Sequence, residues 1–137
     1  MKRNAVLLII IFAVILISIV SYIQIEAYQT HKIREFSFDE YSDLVDELNL
    51  YDENKNQTIT EDISNTDTLL NETKKLWIKE YGEDVLDGYN VRIYYDKVTN
   101  YYMLRGEFPF YFHGVGGGPV IIISKPDGEV IGLWHEK

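Results

Sequence analysis

The chain contains no cysteine among its 137 residues, so it can form neither a disulfide nor a thiolate metal site or nucleophile. Its three histidines, His31, His113 and His135, lie too far apart in sequence to match the ligand spacing of a zinc site. We therefore expect no bound metal and no cofactor.

Basic residues are also scarce. The part of the chain from residue 26 onward carries all 22 acidic side chains against 11 Lys and Arg, a net charge of −11. Residues 35–87 hold 16 acidic and 4 basic side chains, whereas residues 88–137 hold 5 of each. A domain of this charge repels nucleic acid and anionic lipid surfaces, so we expect neither as a partner.

A long uncharged run stands near the N-terminus. Residues 5–25, AVLLIIIFAVILISIVSYIQI, are long enough to cross a bilayer as a helix. A cleaved signal peptide is the alternative, but the following residues offer no small-x-small cleavage site. Lys2 and Arg3 precede the run, which favours a cytoplasmic N-terminus. We expect a single-pass anchor over residues 1–25 in the cell membrane, with residues 26–137 outside the cytoplasm.

The sequence after the anchor predicts a helix over about residues 38–50. Ser37 and Glu40 have the spacing of a capping box, and Phe36 with Tyr41 has that of a hydrophobic staple. One side of this helix is apolar, with Tyr41, Leu44, Val45 and Leu48. The other side is acidic and contains no basic residue, with Asp39, Asp43, Asp46 and Glu47.

The remainder of the chain predicts an α+β domain. Residues 51–66 are polar and predict a loop, and residues 67–82 predict a second helix that buries Trp77 and stops at Gly82. Alternating and apolar runs then predict an antiparallel sheet over residues 89–135, with strands at 89–96, 101–108, 119–124 and 129–135 and turns at 97–100 and 125–128.

The glycine cluster in FHGVGGGPVIII, residues 112–123, does not fit a phosphate-binding loop. Such a loop opens a helix and places a lysine after its last glycine, whereas Gly118 is followed by Pro119 and a strand. Proline also removes an N–H group that would contact a phosphate. We expect the glycines to be structural, through positive dihedral angles or a bulge where the chain joins the sheet.

Residues 69–137 resemble the immunity proteins with the nuclear transport factor 2 fold of bacterial polymorphic toxin systems. The segments that carry the resemblance are LWIKEYG, NYYMLRGEF and GGGPVIIISKPDGEVIGLWHEK. One departure is Tyr102, where a residue such as Trp is expected. The resemblance implies structural roles for the positions within these segments: Trp77, Gly82, Tyr102, Gly106, Gly117, Gly118, Pro119, Asp127, Gly128 and His135.

The resemblance further implies a cone-shaped domain, with helices on a curved antiparallel sheet, that binds and neutralises a cognate toxin without catalysis. The acidic residues of the first helix, with no counter-ion among them, suggest that the toxin is basic; a merely solvated surface is the alternative. Three tyrosines are candidate interface anchors or, equally, half-buried strand residues: Tyr94, Tyr101 and Tyr111.

Two other functions stay open. Folds of this shape also host isomerases and hydrolases, and an acid and a base could come from Asp96, Glu107, His113 and His135. No spacing in the sequence forces these side chains together. A cystatin-like module that binds a peptide or a protease at the cell envelope is the other alternative.

Overall fold

The computed structural model of the chain describes residues 2–49, 57–109 and 117–136. Its contacts divide the chain into two units, residues 1–30 and residues 31–137. Helix α1, Lys2–His31, makes up the first unit and buries none of its residues. A helix of 30 residues is about 45 Å long, more than the roughly 30 Å of a hydrocarbon core. The predicted long apolar helix is therefore confirmed, and by length and composition it could cross a membrane or be a signal sequence.

The second unit is an α+β domain, as predicted. Its single described sheet has five strands in the order β1-β2-β3-β4-β5; β1 is parallel to β2 and every other pair is antiparallel. The strands and helices are β1 Ile33–Glu35, α2 Ser42–Asn49, α3 Thr66–Tyr81, β2 Asn90–Asp96, β3 Tyr101–Glu107, β4 Pro119–Ser124 and β5 Val130–His135, with 3-10 turns at Phe38–Glu40 and Glu83–Leu86.

The predicted start of the first helix is wrong. Residues 38–40 form a 3-10 turn and α2 begins only at Ser42, while Ser37 makes no side-chain cap hydrogen bond. The Phe38 N–H donates to the buried Asp96 carboxylate at 3.0 Å, which attaches this turn to the sheet. The staple contact is present, because the Phe36 and Tyr41 rings pack edge to face with centroids 6.0 Å apart.

The predicted loop over residues 51–66 contributes to the sheet and to the core. Residues 51–56 lie outside the described part of the chain, but Ile59 donates its N–H to the Gly128 carbonyl, and the Gln57 carbonyl accepts from Val130. Ile59 and Ile63 are buried. Two isolated apolar side chains in a polar run are too few to establish a period, which explains why the sequence pattern concealed this segment.

The sheet is buried on both faces, by a different helix on each. Since side chains alternate along a strand, β4 sends Ile121 and Ile123 to one face and Val120 and Ile122 to the other. The first core lies under α3 and includes Leu69, Leu70, Trp77, Ile93, Leu104 and Leu133. The second core lies under α2 and includes Val45, Met103 and Trp134. The predicted helices therefore pack on opposite faces of one sheet.

Gly117 and Gly118, which precede β4, are needed because neighbouring groups lie very close to them, and not because of unusual dihedral angles. Neither Gly117 nor Gly118 has a positive φ, so that part of the expectation is wrong for these two glycines, while Gly114 and Gly116 lie outside the described residues. The described register shift between β4 and β5 lies at Ile122 and Ile123, not at the glycines. A Cβ on Gly118 would lie 2.3 Å from the Gly106 carbonyl oxygen, and one on Gly117 would lie 2.2 Å from Cβ of Glu136. The Gly106 backbone thus excludes a side chain at position 118, and the Glu136 side chain crowds position 117.

We predict that Gly118→Ala lowers the free energy of unfolding by about 1–3 kcal/mol, because the added methyl group overpacks backbone that cannot move aside cheaply. Urea unfolding of the purified chain can be followed by the fluorescence of the buried Trp77 and Trp134. Val98→Ala is the control, since Val98 is 90% exposed and should change stability by less than about 0.5 kcal/mol. Equal stabilities of the two variants would contradict the close-approach explanation.

Candidate functional site

The acidic face, defined as Asp39, Asp43, Asp46 and Glu47, is exposed at all four positions. Asp39 lies on the 3-10 turn and the other three lie on α2 at helical spacing. Asparagine or glutamine at these positions would therefore disturb no core contact.

The opposite side of α2 fixes the helix to the sheet. Val45 is 2% exposed and packs over Gly132 of β5. A Cβ on Gly132 would lie 3.2 Å from Cγ2 of Val45, so the missing side chain lets the helix approach the strand closely. The Tyr41 ring adds a tilted contact with Trp134, at 6.4 Å between centroids. The acidic face is thus held on a rigid support.

The acidic face has no counter-ions in the described part of the chain: no ion pair there involves any of its four carboxylates. Like charges three and four residues apart on a helix destabilise it by a few tenths of a kcal/mol per pair. The arrangement therefore costs stability in the isolated chain. A cationic surface placed against it would remove that cost.

The structure places Tyr94 and Tyr101 on the sheet face that α2 covers. The Tyr101 ring packs edge to face on Phe38, with centroids 5.0 Å apart, so much of its surface is used in packing. The Tyr94 hydroxyl donates to the Glu107 carboxylate, and partial burial, more than this bond, raises the pKa of Tyr94 to about 12. Tyr111 lies outside the described residues. The two described tyrosines are half-buried strand residues that lie on the same side of the sheet as the acidic face.

A cluster of one arginine and two glutamates, which the sequence did not predict, lies on the sheet face that α2 covers. Arg105 donates to Glu136 at 2.8 Å, and its Nε lies 3.6 Å from an Oε1 atom of Glu107. These side chains line a cleft of about 450 Å³ together with Phe108 and the glycines at 106, 117 and 118. Strand alternation places residues 105 and 107 on one face from sequence alone, but Glu136 joins them only through the pairing of β5 with β4.

A larger cleft, of about 640 Å³, lies at the other end of the sheet. We call it the turn cleft; it is lined by residues 58–64, Tyr95, Asn100 and residues 125–128. The Tyr95 hydroxyl donates to Oδ1 of Asn100 at 2.7 Å. This cleft also has no signal in the sequence, because it forms between the polar segment before α3 and the turn that joins β4 to β5.

The side chains considered for acid and base catalysis are not brought together. Asp96 and Glu107 lie at opposite ends of the β2–β3 hairpin, roughly 20 Å apart along the strands. His135 is near Glu107 in register but on the other face, where its ring contacts those of Tyr81 and Tyr89 at 5.7 and 6.4 Å. His113 lies outside the described residues. No group of three or more metal-ligating side chains occurs in the described ranges.

The positions taken from the resemblance are mostly buried or in turns. Trp77 is fully buried under the sheet, and Tyr102 is 4% exposed and stacks on Tyr95 at 5.0 Å. Gly82 ends α3 with φ of 98°. Gly128 has φ of 70°, and hydrogen bonds from Ser124 and the Glu129 N–H hold the pKa of the neighbouring Asp127 below its usual value. Asp127 and His135 are exposed, whereas the other described positions of this set shape the domain through packing and turns.

No protein-family model, curated protein or solved structure matches this chain. The likeness of residues 69–137 to immunity proteins is therefore a hypothesis, and the geometry described above has to support any function.

Asp96 is a structural carboxylate whose removal we predict to be costly. It accepts hydrogen bonds from the Phe38 and Val98 N–H groups and the Thr99 hydroxyl at 2.8–3.0 Å, and these bonds, led by that from Phe38, lower its pKa. A lowered folded-state pKa stabilises the domain above the unfolded-state value near pH 4, and this contribution is lost as pH falls through the folded pKa.

Asp96→Asn should therefore lower the free energy of unfolding by about 1.5–3 kcal/mol at pH 7, and the difference from the wild type should shrink below about pH 4. Urea unfolding at a series of pH values measures both effects. Asp87→Asn, at an exposed site, is the matched control and should leave the pH profile unchanged. A constant difference between Asp96→Asn and wild type from pH 7 to pH 3 would contradict this role.

Proposed function

We propose that this chain is a membrane-anchored immunity protein that binds and neutralises a cognate bacterial toxin outside the cytoplasm. The observation that carries the proposal is the exposed acidic face, four carboxylates without an ion pair in the described part of the chain. A partner with a basic surface complements it.

Electrostatics supports this assignment through the rate of association. The domain carries a net charge of −11 from residue 26 onward, and 16 of its acidic side chains lie in residues 35–87. Such an uneven field steers a basic protein toward the acidic half and accelerates encounter, and salt weakens the effect. Fast capture is what a protein needs when it must intercept a toxin before the toxin acts.

The packing of α2 on the sheet supports the same proposed function. Val45 packed on Gly132 and the Tyr41 contact with Trp134 fix the helix before any partner arrives. Binding through a fixed helix loses less conformational entropy than binding through a segment that has to fold. The acidic face is thus suited to tight capture.

The nuclear transport factor 2-like cone is part of this proposal. The long α3 packed across a largely antiparallel sheet supports it. The short α2 on the opposite face is an addition to that layout, and it carries the charged surface. We infer that binding uses this added helix.

A cystatin-like module that binds a peptide at the cell envelope is the second candidate. The turn cleft favours it, since backbone and polar side chains line a volume of about 640 Å³. The two functions differ in the surface used, because an immunity protein of the proposed kind depends on the acidic face and a peptide module depends on the turn cleft.

We predict that changing Asp39, Asp43, Asp46 and Glu47 to Asn or Gln leaves stability unchanged or slightly higher, through relief of repulsion. The same change should slow toxin association at low salt by at least about tenfold and abolish protection of cells. The measurements are urea unfolding, stopped-flow or surface-based association rates over a salt series, and growth with the toxin expressed.

The matched control changes four exposed carboxylates beyond the acidic face, Glu80, Glu83, Asp84 and Asp87, and so alters the net charge equally. If both quadruple variants slow association to the same degree, only net charge matters and the assignment of the acidic face is wrong.

The proposed topology predicts that protease added to intact wall-less cells cleaves residues 31–137 and leaves a membrane-embedded fragment containing the N-terminus. An epitope tag at each end, read by immunoblot, locates both ends. Release of a shortened chain into the medium would instead show that α1 is a cleaved signal sequence.

A further inference from the structure

The turn cleft already holds a cation. The Lys125 ammonium lies over the rings of Tyr95 and Tyr102, 5.0 and 5.8 Å from their centroids. Both distances are within the range in which the face of an aromatic ring attracts a cation. Lys125 is exposed, and in the described part of the chain no carboxylate lies within ion-pair distance of it.

The side chains around the aromatic platform, defined as the rings of Tyr95 and Tyr102, favour a positive charge. Glu61, Asp62 and Asp127 line the turn cleft, and Lys125 is the only basic side chain among the described residues that line it. Hydrogen bonds from Ser64 lower the pKa of Asp62, and bonds from Ser124 and Glu129 lower that of Asp127, so both carboxylates are charged at neutral pH. The lining therefore keeps a negative balance even with Lys125 in place.

The turn cleft and the Arg105 cleft lie at opposite ends of the sheet. The chain enters the domain at His31, and β1 runs parallel to β2 with Ile33 opposite Ile93 and Glu35 opposite Tyr95. The turns at residues 97–100 and 125–128 lie at the end of the sheet toward which β1 runs. They are thus at the opposite end from the glycine residues 117 and 118, where the Arg105 cleft lies.

We propose that the turn cleft is a second docking site, which receives an arginine or lysine side chain of the partner, and that Lys125 occupies this site until the partner displaces it. The incoming cation takes the position of Lys125 over the Tyr95 ring, in a cleft that is also lined by Glu61, Asp62 and Asp127. This inference rests on the proposed function in that it assumes a basic protein partner, and it adds a site on the sheet face opposite to the acidic face.

The test needs no toxin. The probe is a blocked peptide of alternating glycine and arginine, titrated at low salt into the full chain held in nanodiscs of zwitterionic lipid. Methyl NMR signals separate the two surfaces, because Ile59 and Ile63 line the turn cleft and Val45 lies beneath the acidic face. A glycine and glutamate peptide of the same length is the negative control.

We expect the arginine peptide to shift the Ile59 and Ile63 signals, and Lys125→Ala to tighten this binding by about threefold because it vacates the platform. Lys97→Ala is the matched control: it removes a lysine at the same end of the sheet that pairs with Glu35 outside the turn cleft. It should tighten binding distinctly less. Tyr95→Leu should abolish the Ile59 and Ile63 shifts, whereas Tyr95→Phe, which keeps the ring, should preserve them.

Equal tightening by Lys125→Ala and Lys97→Ala would overturn the proposal, because it would show only the change in net charge. Shifts confined to Val45 would also overturn it while leaving the acidic face, and with it the proposed function, intact. An absence of shifts at Ile59 and Ile63 in both wild type and Lys125→Ala would overturn it as well.

Discussion

Burial of β4 on both faces is the constraint on which the domain depends. All six residues of this strand are buried, and its side chains enter both cores in alternation. A strand of this kind has no solvent-facing side, so each face needs its own cover. Helix α3 covers one face and α2 covers the other. Gly118 is required where the chain enters β4, because its Cα lies directly against the Gly106 backbone of β3.

This arrangement explains how the short α2 can pack on the sheet with one side and present charge to solvent with the other. Since α3 with its core stabilises one face of the sheet, the short α2 needs only Val45, Leu48 and neighbouring aromatic rings to hold it on the other. Its remaining positions are available for charge. The carboxylates there repel one another and no ion pair in the described part of the chain neutralises them, which supports the proposal that this surface binds a basic partner.

The sequence predicted the four antiparallel strands because their signals are local, but it missed the short parallel edge strand β1. Pro119 to Ser124 was placed correctly as a strand, and the turns before Tyr101 and Val130 follow from their turn residues. The start of α2 was missed because residues 38–40 form a 3-10 turn, whose Phe38 N–H is bound by Asp96, 58 residues away in sequence. The turn cleft and the position of Glu136 beside Arg105 depend on long-range pairing, and no local pattern contains that information. The face that each helix covers was unpredictable for the same reason.

The central claim, that the chain protects its cell against a toxin outside the cytoplasm, is tested most directly by a contact competition. Cells of the parent strain are grown on a surface with cells that lack this chain, and the survival of the deletion strain is counted. The account predicts that the deletion strain is killed, and that the full chain restores survival while residues 31–137 expressed in the cytoplasm do not. Equal survival of the deletion strain and the parent in contact would contradict it.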